Sequence, residues 1–504
     1  MTKRNSAAAR IAGAPGLQRL AAALGLFGIA IAAAHAQMPA PASNIVLGLD
    51  ASGITGTLNA DGPFRTSGPF FQSLGSNGRS CATCHVATEA MSFTPGHARL
   101  IFDLTRGADP LFAGVDGANC PEVARSSRAG HSLLLQNGLI RIALAVPATA
   151  QYSIAAVHDP YGCALRIDPT THVLTASVYR RPLPSTNLSF LSAVMWDARE
   201  TVAPLSAAET VEDNLVTDLS HQAIDATTGH AQGAVPTDAQ VKGIVDFELG
   251  LYSTQAWDSD AGLLSAGGAM GGPVALARQL YYPGINDTLG QDPNGLAFTA
   301  VSMTLFAAWE QRPRGDNGDR AQARAQIAAG EQLFDSAPMT IQNVRGLNDN
   351  AALGKPTAFQ GTCGTCHDAP NVGDHSLPLP LDIGTGHTAN ARFETDPAIA
   401  AAVAELSLPD LPVFLISGCP DPFNAGQSAS FYTTDPGRAL ITGNCSDFNR
   451  VKGPILRGLA ARAPYFHNGA AANLREVVDF YNLRFQMKLT ELQKRQLVAF
   501  LNSL

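Results

Sequence analysis

Apolar residues recur at helical spacing in a few well-separated windows of this chain. AQARAQIAAGEQLF (321–334), TDAQVKGIVDFELGLYSTQ (237–255) and LTELQKRQLVAFLNSL (489–504) each place Val, Ile, Phe or Leu on one face. The last two open on Thr237 and Thr490, each followed three residues on by Gln, which marks a helix N-terminus. PFFQSLGSNGRS (69–80) reads as a further short helix with a Gly-containing stop, and LAFTAVSMTLFAAWEQ (296–311) as a helical piece. LIRIALAVPA, YSIAAVH and VLTASVYRRPLP, between residues 139 and 184, are rich in β-formers and predict strands. Asp258 to Gly315 is rich in Gly, Pro and Asn and reads as a connector. The pattern predicts a mainly α chain whose second half repeats the plan of its first, with a β-rich insertion in the first domain.

The first 36 residues change the picture of where this chain works. Lys3, Arg4, Arg10 and Arg19 precede or enter a short apolar run that ends at Ala34-His35-Ala36, the layout of a cleaved secretory signal. No other stretch is apolar for long enough to span a membrane. Without the signal, 30 basic residues stand against 42 acidic ones, a formal net charge of −12. Such a surface repels nucleic acid and anionic lipid, which leaves small molecules or basic proteins as partners.

Four of the eight cysteines form two copies of one motif, Cys81-Ala-Thr-Cys84-His85 and Cys363-Gly-Thr-Cys366-His367. In C-x-x-C-H two thiols add to the vinyl groups of a haem, and the adjacent histidine binds the iron. A thioredoxin-like pair lacks its βαβ context here, and a zinc knuckle lacks further ligands nearby. Two covalently bound haems c are therefore expected. The other four cysteines fall as two close pairs in an oxidising compartment, predicting disulfides Cys120–Cys163 and Cys419–Cys445.

Two such motifs, the segment MWDAR (195–199) between them, and LRGLAARAPYFHNGAAANLREVVDFYN (456–482) after the second together resemble the bacterial di-haem cytochrome c peroxidase and MauG superfamily. The likeness is specific at the haem motifs and PYFHNG and loose elsewhere. It implies an N-terminal cytochrome c-like domain (45–257) with the peroxidatic haem on His85, the connector (258–315), and a C-terminal domain (316–504) with the electron-transfer haem on His367. Trp196 matches the tryptophan between the haems, although a buried indole alone reads as core.

The resemblance also implies a distal acid–base group. Gln222 fits the family glutamine, whereas the glutamate position falls on Gln232, which cannot carry a proton. His230, two residues earlier, is then the expected distal base, with Glu209 and Glu212 as alternatives. His97 reads either as a displaceable sixth ligand or as part of a surface turn. His467 matches a family histidine near the domain interface. A structural Ca²⁺ is implied on the carbonyls of Arg462 and Pro464 and the side chain of Asn187.

Tyr481 has two readings. Asn473 and Glu476 form a capping pair, and Leu474, Val477, Val478 and Tyr481 share one face, the pattern of a packed helix. By resemblance, Tyr481 stands where peroxidases of this family have an axial methionine and MauG-type members an iron-bound tyrosine. Met487 lies past the expected helix end, so Tyr481 is the expected ligand opposite His367. An oxygen ligand there favours oxidised iron.

The resemblance implies a periplasmic enzyme that reduces hydrogen peroxide with electrons from a small redox protein, and it admits a homodimer. Oxidation of a protein or organic substrate, and a non-enzymatic di-haem electron carrier, are the competing readings.

Overall fold

The computed structural model describes residues 43–169, 171–201, 211–288, 290, 292–311, 318–368, 380–388, 396–424 and 426–504. The predicted signal segment, residues 1–36, lies outside them. Within them, no helix is long and apolar enough to cross a membrane.

Two of the helices expected around the motifs start on capping boxes. In Asp238–Leu249, Thr237 Oγ1 accepts from the Gln240 N–H while Gln240 Oε1 accepts from the Thr237 N–H. Thr490 and Gln493 repeat this reciprocal pair at the start of Glu491–Asn502. Asp319–Ser336 crosses that last helix so closely that a Cβ on Gly330 would lie 2.0 Å from the Gln496 carbonyl oxygen. Phe334, Leu497, Phe500 and Leu501 fill the crossing, each buried side chain contributing roughly 1.5–3 kcal/mol.

Three predicted helices differ. LYSTQ does not continue the helix: Gly250 ends it, and Leu251–Asp258 is a strand, because its alternating side chains pair with Gly53–Asn59 from Asn59↔Leu251 to Gly53↔Asp258. PFFQSLGSNGRS holds only the 3₁₀ turn Pro69–Phe71. Its later residues lie along the 230s instead, where a Cβ on Gly75 would meet the Ala231 carbonyl oxygen at 1.8 Å. LAFTAVSMTLFAAWEQ keeps only the 3₁₀ turn Ala307–Trp309, because side chains take up its N–H groups: Glu331 accepts from Leu305 (2.6 Å) and Phe306 (2.8 Å), and Asp335 from Ser302 (3.0 Å).

The mainly α fold class is therefore corrected to mixed α/β. The described residues hold four antiparallel sheets, of four, three, three and two strands, spread along the chain. Ile45–Leu49, Gly53–Asn59, Leu251–Asp258 and Gly262–Leu263 form the largest. The predicted strands at Ile140–Ala145 and Leu174–Arg180 pair with each other. Ser153–His158, however, pairs with Val413–Pro420 from the second half of the chain, which also pairs with Ser428–Thr433. Met339–Gln342 and Ala358–Gly361 form a hairpin just before the second motif. Strand pairing over such separations leaves no local signature to read.

Both predicted disulfides are present, Cys120–Cys163 and Cys419–Cys445. A buried ion cluster joins the two halves of the chain: Arg180 Nε and Nη2 donate to Asp435 (2.6 and 2.9 Å), and Nη1 donates to Asp197 (2.5 Å). All three side chains are essentially without solvent contact. Removing one member leaves an uncompensated buried charge. Arg180→Met is expected to lower stability by about 3–5 kcal/mol, read as a lower urea midpoint; an unchanged midpoint would contradict this account of the cluster.

Candidate haem-binding centre

The two C-x-x-C-H motifs fold alike although they lie far apart in sequence. Cys81–Thr83 and Cys363–Thr365 are single 3₁₀ turns. In both, the Thr before the second cysteine accepts from the N–H of the residue before the first: Ser80 N to Thr83 Oγ1 is 3.1 Å, and Thr362 N to Thr365 Oγ1 is 2.9 Å. The His85 and His367 N–H groups donate back to the Cys81 and Cys363 carbonyls, at 3.0 and 2.9 Å. Phe70 packs on His85 and Phe334 on His367, both with ring centroids 6.2 Å apart, and those phenylalanines rest on Phe247 and Phe500 of the two closing helices. The repeat read from the sequence thus extends to the packing behind each histidine.

At the first motif, His85 Nδ1 lies 3.0 Å from the Met91 carbonyl oxygen. A carbonyl only accepts, so Nδ1 carries the proton and Nε2 keeps its lone pair. Burial lowers the His85 pKa to about 4, which keeps the ring neutral. A polar cluster adjoins it. Arg79 donates to Asp116 and to the carbonyls of Pro110 and Leu111 (both 2.8 Å), and the other Asp116 oxygen pairs with His230 Nδ1. Burial alone would raise the Asp116 pKa, but Arg79 and His230 outweigh it and hold the carboxyl below its ordinary range.

His230 closes a π-helical turn, Ala226–His230, that follows the helix Val211–Asp225. The segment is fastened to the residues just before Cys81: Asn77 Nδ2 donates to the His230 carbonyl (2.8 Å), and Ser76 Oγ donates to the Gln232 carbonyl (2.9 Å). Gln232 Oε1 accepts from Asn77 at 3.3 Å. Gln222 is half-buried two turns earlier. Glu209 and the side chain of Glu212 lie outside the described residues.

The second motif opens on an apolar cavity of about 420 Å³, a size that holds cofactor-sized ligands. Cys363, Cys366 and His367 line it with Tyr481, Trp196 and His467. The Tyr481 and His367 rings are 6.4 Å apart. Burial, then the neighbouring Cys366 and Cys363, push the Tyr481 phenol above its ordinary pKa. Tyr481 sits on Leu474–Arg484, whose N-cap Asn473 accepts from the Glu476 N–H (3.0 Å); Glu476 reaches back to Asn473 Nδ2 and the Ala472 N–H. Met487, beyond the helix end, lines the same cavity.

Trp196 is 8 % exposed and donates from Nε1 to the Arg181 carbonyl (2.8 Å); His467 meets its ring edge-on at 6.0 Å. The link toward the first motif is short. Met91, whose carbonyl holds His85, precedes Ser92, which lines the cavity and donates to the Pro182 carbonyl (3.3 Å).

The structure therefore brings His230 and Gln232 to the first motif, and Trp196, His467 and Tyr481 to the second. His97 faces Glu89, 3.2 Å from its carboxylate, and that hydrogen bond raises its pKa. Asn187 turns both side-chain atoms to the Ser253 backbone, accepting from its N–H and donating to its carbonyl, each at 2.9 Å. Sequence reasoning missed Arg79, Asp116 and Arg181. Their signal was slight: an arginine two residues before Cys81, and an Arg-Arg pair where a predicted strand ends.

A haem c fits the residues present. All four motif cysteines lie outside the disulfides, burial pushes each thiol up to about 12, and Cys363 and Cys366 face the apolar cavity. Among the described residues no three His, Cys, Asp or Glu converge as a ready metal site.

No family model matches this chain. Over 152 residues, 29% of this chain and 36% of the relative, it is 31% identical to the cytochrome-c peroxidase IdrP2 of Denitromonas iodatirespirans. It is 31% identical over 120 residues, 20% of the chain and 32% of the relative, to the cytochrome-c peroxidase IdrP1 of Pseudomonas sp. strain SCT. Over 82 residues, 16% of the chain and 25% of the relative, it is 36% identical to the cytochrome c551 peroxidase of Nitrosomonas europaea. The chain thus matches between a quarter and about a third of the length of these curated relatives.

Asp116 gives a pH prediction. Its folded pKa is depressed, so its contribution is present above the unfolded value, about 3.9, and is lost as pH falls through the folded value. Asp116→Asn is expected to cost on the order of 1–3 kcal/mol at pH 7, with the deficit shrinking below about pH 4. Urea titrations of both proteins across that range test it; a deficit independent of pH would remove the ionised Asp116 from the account.

Proposed function

We propose that this chain is an exported di-haem c oxidoreductase that reduces hydrogen peroxide, working in the periplasm with a small redox protein as electron donor. The observation that carries the proposal is the repeated motif geometry: two C-x-x-C-H turns with the same caps and the same phenylalanine behind the histidine, one of them facing Tyr481 across an apolar cavity. Similarity to cytochrome c peroxidases over parts of the chain supports it. So do the two disulfides, which suit an oxidising compartment.

When bound, the haems supply redox-active iron, attached through Cys81, Cys84 and His85 at the first site and Cys363, Cys366 and His367 at the second. The protein's own residues do the rest. His85, its Nδ1 proton fixed on Met91, offers Nε2 as a ligand. Reduction of peroxide to two waters takes two electrons and two protons, and the O–O bond breaks more readily when a base carries a proton from the inner to the outer oxygen. His230 suits that proton transfer, because Asp116 accepts from its Nδ1 and leaves Nε2 to take and return a proton; about a third of the side chain (36%) is open to solvent. Gln232 and Gln222 can only orient the peroxide. Trp196 is bonded to a carbonyl that cannot take its proton, so it suits passage of an electron alone. Tyr481, which lines the cavity with His367, would hold the second haem with it, and an oxygen ligand would favour the oxidised state.

The proposed ligand also suits a second reading, in which the oxidising equivalents are spent on an organic or protein substrate. Product analysis with peroxide and candidate substrates separates the two.

Two experiments test the reading. The pyridine haemochrome of protein exported from a host with a cytochrome c maturation system should give two haems per chain. His230→Ala should then lower kcat/KM for peroxide about 10²–10⁴-fold with unchanged haem content; equal turnover would sink the proton role. Tyr481→Phe should alter the ferric absorption and EPR spectra of one haem, and identical spectra would remove the tyrosine ligand in favour of another group such as Met487.

A further inference from the structure

Two guanidinium groups on the wall of the second cavity donate to backbone carbonyls rather than to a carboxylate. Arg181 and Arg462 are 5 % and 9 % exposed, and both line the cavity with Trp196 and Lys452. Arg181 donates to the carbonyls of Gly138 (2.9 Å), Phe93 (2.8 Å) and Arg462 (3.2 Å). Arg462 donates to those of Ile455 (2.5 Å), Arg457 (2.8 Å) and Gly458 (3.2 Å). Each of these partners is a neutral backbone oxygen. Among the described residues lining the cavity none is Asp or Glu, while Arg181, Lys452 and Arg462 are all basic.

Buried charges of one sign close together are costly, and at Arg181 the Glu89 carboxylate offsets only part of that cost. Burial lowers the Arg181 pKa to about 9, with Arg462 adding to the effect, and lowers the Arg462 pKa to about 10. The fold nonetheless makes room for them. Gly138, at φ +62°, leaves the space in which a Cβ would come within 1.7 Å of Arg181 Nη1. A charge kept at such cost implies an anionic partner in the occupied cavity.

The same residues do not fit calcium. Ca²⁺ takes six to eight oxygens and usually recruits carboxylates. Here Asn187 is spent on Ser253, the Arg462 carbonyl accepts from the Arg181 guanidinium, and a divalent cation at that carbonyl would face two fixed positive charges. We infer that Arg181 and Arg462 supply the fixed positive charge of this cavity, replacing the expected calcium ion, and that they bind the carboxylate groups of its occupant. Resting on the reading above, those carboxylates are haem propionates. Arg181 and Arg462 are positioning residues that fix the orientation of the second cofactor and raise its potential.

The test has two independent arms. Purified holoprotein is dialysed against EGTA or calcium chloride, and its calcium content and melting temperature are measured. The expected result is far less than one calcium per chain and the same melting temperature in both; one tightly held ion whose removal lowers the melting temperature would overturn the replacement of calcium. In the second arm, spectroelectrochemical titrations compare wild type with Arg181→Met, Arg462→Met and the matching Lys variants. Loss of buried positive charge should lower one midpoint potential, and Lys should restore most of it. Unchanged potentials in both Met variants, or Lys variants no better than Met, would overturn carboxylate binding. If a Met variant fails to fold, the wild-type calcium arm and the Lys variants still decide. Absence of haem in the haemochrome assay would sink the functional reading instead, leaving the calcium arm intact.

Discussion

Arg180, bonded to Asp197 and Asp435 with no access to water, is the interaction on which the rest of the centre depends. It ends a strand of the first half, Asp197 follows Trp196, and Asp435 comes from the second half. Burial alone would push both carboxyls up, but the guanidinium holds them below their ordinary range. Such a cluster is weak as a source of net stability, because desolvation offsets much of its attraction. Its strength lies in specificity: a displaced partner strands a charge in the interior, so the halves have one tolerable register.

Successive residues of an extended segment point to opposite sides, and here that alternation has a chemical result. Arg180 turns to the carboxylates while Arg181 turns to the cavity. The Arg181 backbone meanwhile accepts the Trp196 indole proton and donates to the His467 carbonyl (2.6 Å). His467 packs against Trp196 and lies 3.7 Å from Asp435; burial lowers its pKa to about 4, so it adds no charge there. One dipeptide thus sets the ion cluster, the indole and the charge of the cavity wall.

The parts of the centre that were legible are those fixed over a few residues. The C-x-x-C-H turns, the Thr–Gln capping boxes and the Asn473 cap rest on short spacings, whereas the two disulfides, 43 and 26 residues apart, were read from the cysteines left outside the motifs; the structure holds each of these turns, caps and bridges. The failures have a common cause. Helical spacing in LAFTAVSMTLFAAWEQ could not compete with Glu331 and Asp335, which take its N–H groups from another element. LYSTQ was apolar enough for a helix, yet a waiting strand edge at Gly53–Asn59 made it a strand. Mixed α/β architecture follows from such distant partners.

By itself the sequence determined the two thiol–histidine turns, the capped helices Asp238–Leu249 and Glu491–Asn502 and the acidic balance of the chain, because composition and local spacing suffice for these. Only the tertiary structure decided that His230 meets Asp116 beside the first motif, that Trp196, His467 and Tyr481 share one cavity, and that Arg181 and Arg462 meet on its wall. Those pairings join residues that are distant in sequence. Burial, absent from any local pattern, turns their charges and protons into constraints.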